Sequence, residues 1–269
     1  MSGTGDAAFS GSVPEAYDRY LVPLMFEPYA DDLARRAERL GPDNILEVAA
    51  GTGVVTRRLA EALPEARIAA TDLNPDMLAF VRPLESARIA VAVADAQALP
   101  FGDDLFDLLV CQYGYMFVTD RPLAYREAAR VLRPGGRILF NVWDNIADND
   151  AANAVNMALT EAFPDDPPRF FERGPFSYHD HALIEAELDA AGFDDIAIER
   201  VELTSGLADP GGAIAGFVKG SPMAAELAER DQDVVAAAVE RARQTIADRL
   251  RDGPLRMAAL VVSAGIPKD

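Results

Sequence analysis

Apolar and polar positions follow two rhythms along the first half of the chain. Short, nearly continuous apolar runs occupy residues 44–49, 67–71, 88–94, 105–111 and 137–142, as strands do when both sheet faces are covered. Between them, apolar residues recur three and four apart. Val55, Leu59, Ala62 and Leu63 give 54–63 one apolar helical face, Asn74 and Pro75 open a short helix, and a helix over 120–132 stops at Arg133-Pro134-Gly135-Gly136. An earlier helix starts near Pro28 with Ala30, Leu33, Ala34 and Ala37 on one side and stops before Gly41-Pro42. This β-α-β repetition predicts an α/β fold: an open, doubly wound, mostly parallel sheet with helices on both faces. Ligands of such sheets bind past the carboxyl ends of the strands, where strand order reverses. The chemistry is therefore expected after Ala49, Thr71, Ala94 and Cys111.

The second half is less regular. Residues 151–163 and 181–191 read as helices, 164–178 as a loop dense in proline and aromatics, and 196–203 as a strand. A long helix falls within 224–251, with Val235, Val239, Ala242, Ile246 and Leu250 on one side, and 254–263 closes the chain as a seventh strand. Residues 1–13 are small and polar and read as a flexible tail. Residues 14–26 are apolar and aromatic, interrupted by Pro23. The expected organisation is one domain over 14–269, with a core at 42–144 and helical lid insertions at 145–180 and 204–254.

Composition narrows the function classes. Among 269 residues, 25 Lys+Arg face 44 Asp+Glu, a net charge of −19 that disfavours phosphate backbones and anionic lipid. Cys111 is the only cysteine and His179 and His181 the only histidines, which excludes a disulfide framework and leaves little for a metal site. The N-terminus lacks a basic and an apolar region, and no apolar run reaches a membrane-spanning length. A soluble, metal-free, cytoplasmic protein that binds no nucleic acid is expected.

Glu47-Val48-Ala49-Ala50-Gly51-Thr52-Gly53 falls at a strand-to-helix turn, where Gly51 and Gly53 allow backbone to approach a ligand closely. Such a turn also occurs in ordinary βα units. Asp72, 19 residues beyond Gly53 at the end of the next strand, is placed to accept both hydroxyls of a ribose. The pair fits a nicotinamide dinucleotide site and a nucleoside-binding methyltransferase site alike. Two features separate them. Thr56 stands where a third glycine would complete the pyrophosphate fingerprint, and Glu47 suits a cationic ligand such as S-adenosylmethionine better than a pyrophosphate.

Four blocks in order then resemble a known family. They are Ile45-Leu46-Glu47-Val48-Ala49-Ala50-Gly51-Thr52-Gly53, Thr71-Asp72-Leu73-Asn74-Pro75-Asp76-Met77-Leu78, Ala94-Asp95-Ala96-Gln97-Ala98-Leu99-Pro100-Phe101 and Arg130-Val131-Leu132-Arg133-Pro134-Gly135-Gly136-Arg137. The chain resembles the class I S-adenosylmethionine-dependent methyltransferases, of the UbiE-like (type 11) branch, from about Tyr17 to Asp144. The resemblance implies S-adenosylmethionine as cofactor, with S-adenosylhomocysteine as product. It implies that Gly51 and Gly53, with Ala49 in place of the family's first glycine, line the methionine end and that Glu47 holds the loop. Asp72 would take the ribose, Leu73 and Met77 would lie by the adenine, Asp95 and Ala96 would reach the adenine edge, and Tyr20 and Gln112 would complete the site. Met77 at helical spacing reads equally as core.

The acceptor side is expected from the segments such enzymes vary. Tyr17 and Phe26, Tyr113, Met116 and Phe117, and Phe171 and Phe176 form an aromatic set suited to a small apolar or ring-bearing acceptor. His179 or His181 is a candidate general base for an acceptor that must lose a proton. The competing reading has Ser177 or Asp180 capping the next helix, with the histidines on its first turn. A non-catalytic binder on the same fold, and a nicotinamide-dependent oxidoreductase, remain the alternative functions.

Overall fold

The computed structural model describes Phe9, residues 11–206 and residues 209–268; residues 1–8 and 10 of the expected tail lie outside them. Residue contacts group the chain into two compact units. One comprises Tyr29–Val142, Tyr178–Val201 and the described residues from Leu260. It holds most of a seven-stranded sheet: β1 (Asn44–Val48), β2 (Arg67–Asp72), β3 (Ile89–Val93), β4 (Phe106–Gln112), β5 (Leu132–Trp143), β6 (Asp194–Thr204) and β7 (Arg256–Gly265), in the order β3-β2-β1-β4-β5-β7-β6, of which Trp143, residues 202–204 and residues 256–259 fall in the other unit.

β1 pairs in parallel with β2 on one side and β4 on the other, and β2–β3 and β4–β5 are also parallel. Strand order thus reverses at β1, between β2 and β4, so the loops after β1, β2 and β4 share one edge. Ile45, Leu46, Leu108, Leu109, Ile138 and Leu139 are buried, the two-sided burial that their unbroken apolar runs predict. Helices Glu27–Leu40, Val54–Ala62, Pro75–Val81, Arg121–Val131 and His181–Ala190 cover the sheet on both sides. Local chemistry sets their starts: Asn74 Oδ1 accepts from Asp76 N with Pro75 at the first helical position, and the Asp120 side chain accepts from Leu123 N.

The other unit comprises the described residues up to Pro28, Trp143–Ser177 and the described part of Glu202–Ala259. Its N-terminal segment is one continuous π-helix, Tyr17–Phe26, with Pro23 inside it. The sequence reading took Pro23 as an interruption. Proline removes one N–H from a helix ladder, and the wider π register carries the chain past it. Helix Pro210–Lys219 packs on this segment through small residues: a Cβ at Gly216 would meet Leu21 Cδ2 at 2.7 Å, and one at Gly220 would meet Tyr17 N at 2.9 Å.

The long helix expected somewhere within 224–251 is Gln232–Asp252, whose start the Asp231 carboxylate caps by accepting from Asp233 N and Val234 N, and a shorter helix, Met223–Ala228, precedes it. The longer of the two packs on Asp150–Ala162. The buried Asp150 accepts from Arg256 N at 2.9 Å, and the two arginines Arg249 and Arg256 hold its carboxyl below the usual carboxylate range despite burial. No helix among the described residues is long and apolar enough to cross a membrane, and no cluster of metal-ligating side chains occurs among them.

Candidate cofactor-binding site

The site begins with the turn after β1. Ala49, Gly51 and Gly53 all have positive φ, at 55°, 58° and 83°. Ala49 therefore holds a conformation that a Cβ resists, at the position where the resembling family carries glycine. Gly53 must also stay small, since a Cβ there would lie 3.1 Å from Val81. Gly51 N donates to Asp72 Oδ2 at 2.8 Å, and Asn74 N donates to Asp72 Oδ1 at 2.8 Å. The half-buried Asp72 carboxylate thereby ties the loop after β1 to the loop after β2. Burial pushes its carboxyl up, opposed by the backbone N–H groups of Asn74, Gly51 and Leu73.

Glu47 is wholly buried beneath this loop, where Thr56 Oγ1 donates to its Oε2 at 2.6 Å. Desolvation raises its pKa to about 8, against the Thr56 hydrogen bonds. Thr71 Oγ1 donates to the Glu47 carbonyl at 2.8 Å, a second clamp between β1 and β2. Thr56, which breaks the pyrophosphate fingerprint, is thus the partner of the buried acid. A glycine there would leave Glu47 without that hydroxyl.

The third loop is ordered by Asp95, which accepts from Gln97 N at 2.8 Å and Gln97 Nε2 at 3.1 Å. Gln97 Oε1 in turn accepts from Thr119 Oγ1 and Asp120 N, joining this loop to the start of helix Arg121–Val131. Glu127 accepts from Leu99 N, while Arg130 donates to Leu99 O and Phe101 O, so the last motif block is a structural clamp on the loop after β3. Arg130 holds the Glu127 carboxyl below the usual range. Ala96 is half-buried beside Asp95. Met77 is buried and belongs to the core side of its helix, whereas Leu73 is 62% exposed at the lip of the site.

After β4 the chain turns tightly. Tyr113 has φ 55°, and a Cβ on Gly114 would lie 2.6 Å from both Ala49 Cβ and Cys111 Sγ. Only glycine lets the two loops touch. Gln112 stands opposite Asn141 of β5, and Tyr113 N donates to Asn141 Oδ1 at 3.1 Å. Burial pushes the Cys111 thiol up to about 12, leaving it a core residue. Tyr115 and Met116 are buried and Phe117 half-buried; Tyr115 stacks on Tyr125 at 4.7 Å.

These loops bring together Glu47, Ala49, Gly51, Gly53 and Asp72, with Leu73 following directly, and Gln112 and Tyr113 adjoin them through Gly114. Tyr17, Tyr20, Phe26, Phe171 and Phe176 belong to the other unit. There Tyr17 stacks on Phe26 at 4.9 Å, and Trp143, Phe176, Phe171 and Phe217 continue a string of ring contacts. His181 opens helix His181–Ala190 and is exposed, His179 is half-exposed, and Asp180 caps the helix by accepting from Ala182 N and Leu183 N. Sequence reasoning missed the roles of Thr56, Gly114 and Asn141. Thr56 was within reach of it, because an alcohol three residues past a glycine turn can face back toward the strand; the other two depend on loop and strand neighbours far apart in sequence.

An S-adenosyl nucleoside fits this arrangement. The site offers an anchored carboxylate to a diol, an exposed Leu73 to a flat ring, and a loop of small residues with the buried hydroxyl of Thr52, which has no hydrogen-bond partner among the described residues.

Comparison with known proteins agrees. The methyltransferase-domain family matches residues 46–140. The ubiquinone/menaquinone biosynthesis C-methyltransferase UbiE of Paracoccus denitrificans is 42% identical over 101 residues, covering 36% of this chain and 40% of that enzyme. The UbiE of Dinoroseobacter shibae is 31% identical over 192 residues, 66% of this chain and 74% of that enzyme. Among solved structures, Haemonchus contortus phosphoethanolamine N-methyltransferase 2 in complex with S-adenosyl-L-methionine aligns with a TM-score of 0.63 at 18% identity, over 100% of this chain and 60% of that one. The [4+2]-cyclase SpnF aligns with a TM-score of 0.56 at 20% identity, over 91% and 82%. This chain therefore belongs to the class I S-adenosylmethionine-dependent methyltransferases, in the UbiE-like branch.

Proposed function

We propose that the chain transfers a methyl group from S-adenosylmethionine to a small, ring-bearing, largely apolar acceptor by in-line displacement. The observation that carries the cofactor half is the Asp72 carboxylate, anchored by Gly51 N–H and Asn74 N–H at the carboxyl ends of β1 and β2. Each carboxylate oxygen has a further lone pair, which can accept a ribose hydroxyl. Asp95 and Ala96 meet the adenine edge, Leu73 covers a ring face, and Gly51, Thr52 and Gly53 hold the methionine end. The bound cofactor supplies an already activated methyl group, so the protein's task is to align the acceptor and exclude water. The quinone-biosynthesis names of the relatives support the ring-bearing class, as do the buried Tyr113, Tyr115 and Met116 after β4.

Thermal unfolding with S-adenosylhomocysteine, S-adenosylmethionine and NAD tests the cofactor. A ligand at 100-fold its Kd adds about 2.7 kcal/mol of stability. Stabilisation by NAD alone would overturn the proposal. Transfer of labelled methyl to a panel of quinols, phenols, amines and carbon acids tests the acceptor. The likeness to a cyclase favours one second reading, an S-adenosyl binder that performs other chemistry. Tight S-adenosylhomocysteine binding with no methyl transfer to any of the panel would support it.

A further inference from the structure

β4 and β5 run parallel with Gln112 opposite Asn141, so the two carboxamides stand side by side at the carboxyl edge of the sheet. This edge is continuous with the cofactor loop, because Gly114, two residues past Gln112, lies against Ala49. β5 is one strand further out than β4, on the side away from Asp72 and Asp95.

The orientation of the Asn141 amide is fixed by its neighbour. Oδ1 accepts from Tyr113 N at 3.1 Å, and exchanging oxygen for nitrogen would set donor against donor. The same N–H also donates to the Asn141 main-chain carbonyl at 3.1 Å, and Tyr113 has φ 55°, a backbone conformation that side chains disfavour. The other end of the amide, Nδ2, is completely buried and has no hydrogen-bond partner among the described residues. Buried donors in folded proteins find acceptors. A donor left over at the ligand-binding edge, beyond the cofactor carboxylates, is available to the acceptor.

We propose that Asn141 Nδ2 donates a hydrogen bond to an oxygen of the acceptor, whether hydroxyl, phenolate or carbonyl. Asn141 is then the residue that selects oxygenated rings and fixes their rotation relative to the methyl group. This inference rests on the ring-bearing acceptor proposed above.

The test measures binding of 1-naphthol and of 1-methylnaphthalene to the full chain saturated with S-adenosylhomocysteine. In the wild type, 1-naphthol should bind about tenfold tighter, the scale of one hydrogen bond. Asn141→Leu removes the donor and leaves Tyr113 N–H the main-chain carbonyl of residue 141, to which it also donates at 3.1 Å; it should abolish the preference while leaving the Kd for S-adenosylhomocysteine unchanged. A retained preference in Asn141→Leu, or a parallel loss of cofactor affinity, would overturn the role of Asn141 alone. Failure of the wild type to bind either ring would overturn the ring-bearing acceptor and this inference with it. A second measurement needs no variant to fold: the Asn141 side-chain amide protons of the wild type should shift downfield with 1-naphthol and stay in place with 1-methylnaphthalene. An amide that only braces Tyr113 would not move, and that result would overturn the proposal.

Discussion

Replacing Glu47 by glutamine tests whether the buried acid beneath the glycine loop is neutral in the folded protein. Its carboxyl titrates near 8 when folded, against an ordinary 4.5, because burial penalises the anion more than Thr56 relieves it. The unfolded chain therefore gives up this proton first. The group's contribution to stability is complete below pH 4.5 and is lost as pH rises, with the loss finished above about 8. The shift corresponds to about 4 kcal/mol between pH 5 and pH 8.5. Glutamine retains an oxygen for the Thr56 hydroxyl and carries no proton to lose. Urea unfolding followed by far-ultraviolet circular dichroism should show the variant gaining about 4 kcal/mol on the wild type across that range. The same reasoning covers the ligand. A cofactor ammonium near the loop favours the Glu47 anion, so S-adenosylhomocysteine binding near pH 7 should release protons from the wild type and not from Glu47→Gln, read by calorimetry in buffers of different ionisation enthalpy. Parallel pH–stability curves for the two proteins would refute the reasoning.

Other expectations follow from the same contacts. Gly114→Ala forces a Cβ against Ala49 and Cys111 and should cost about 1–3 kcal/mol by denaturant titration, with only partial rescue by Ala49→Gly because the Cys111 Sγ clash persists. Ala49→Gly alone relieves a strained backbone and should raise stability by up to about 1 kcal/mol; a loss larger than that would show that the Ala49 methyl packs more than it strains. Asp72→Ala removes the acceptor of two backbone N–H groups and should cost about 2–3 kcal/mol, with at least a hundredfold (about 2.7 kcal/mol) loss of S-adenosylhomocysteine affinity by calorimetry. His179→Ala and His181→Ala decide the general base: a fall of about a hundredfold in turnover at unchanged cofactor affinity assigns the proton transfer, and turnover within about twofold of wild type removes both imidazoles from the chemistry.

The middle of the sheet was legible because β1, β4, β7 and the second half of β5 are buried on both faces and so read as nearly unbroken apolar runs. Helix starts were legible where one side chain does the capping, as at Asn74 and Asp120. The irregular parts were not. The sequence reading ended a helix at Arg133-Pro134-Gly135-Gly136 and began the next strand at 137, yet β5 runs from Leu132 through a register shift opposite Phe106 and Leu108. A short helix, Phe170–Arg173, lies inside the expected loop 164–178, too brief to leave a period. In the site, the glycine loop and Asp72 declare themselves by spacing. Asn141 and Gly114 acquire their roles only when the ends of strands distant in sequence meet, which no local pattern encodes.

The string of rings around Trp143 has a practical consequence. Trp143 is the only tryptophan in the chain, is buried, and lies between Phe26 and Phe176 in one unit. Its fluorescence therefore reports that unit, while far-ultraviolet ellipticity sums the helices of both. The two signals together are an internal check on cooperativity: coincident midpoints mean that both units unfold in one step, and separated midpoints mean two. Emission alone would attribute to the whole chain a stability belonging to the unit without Glu47.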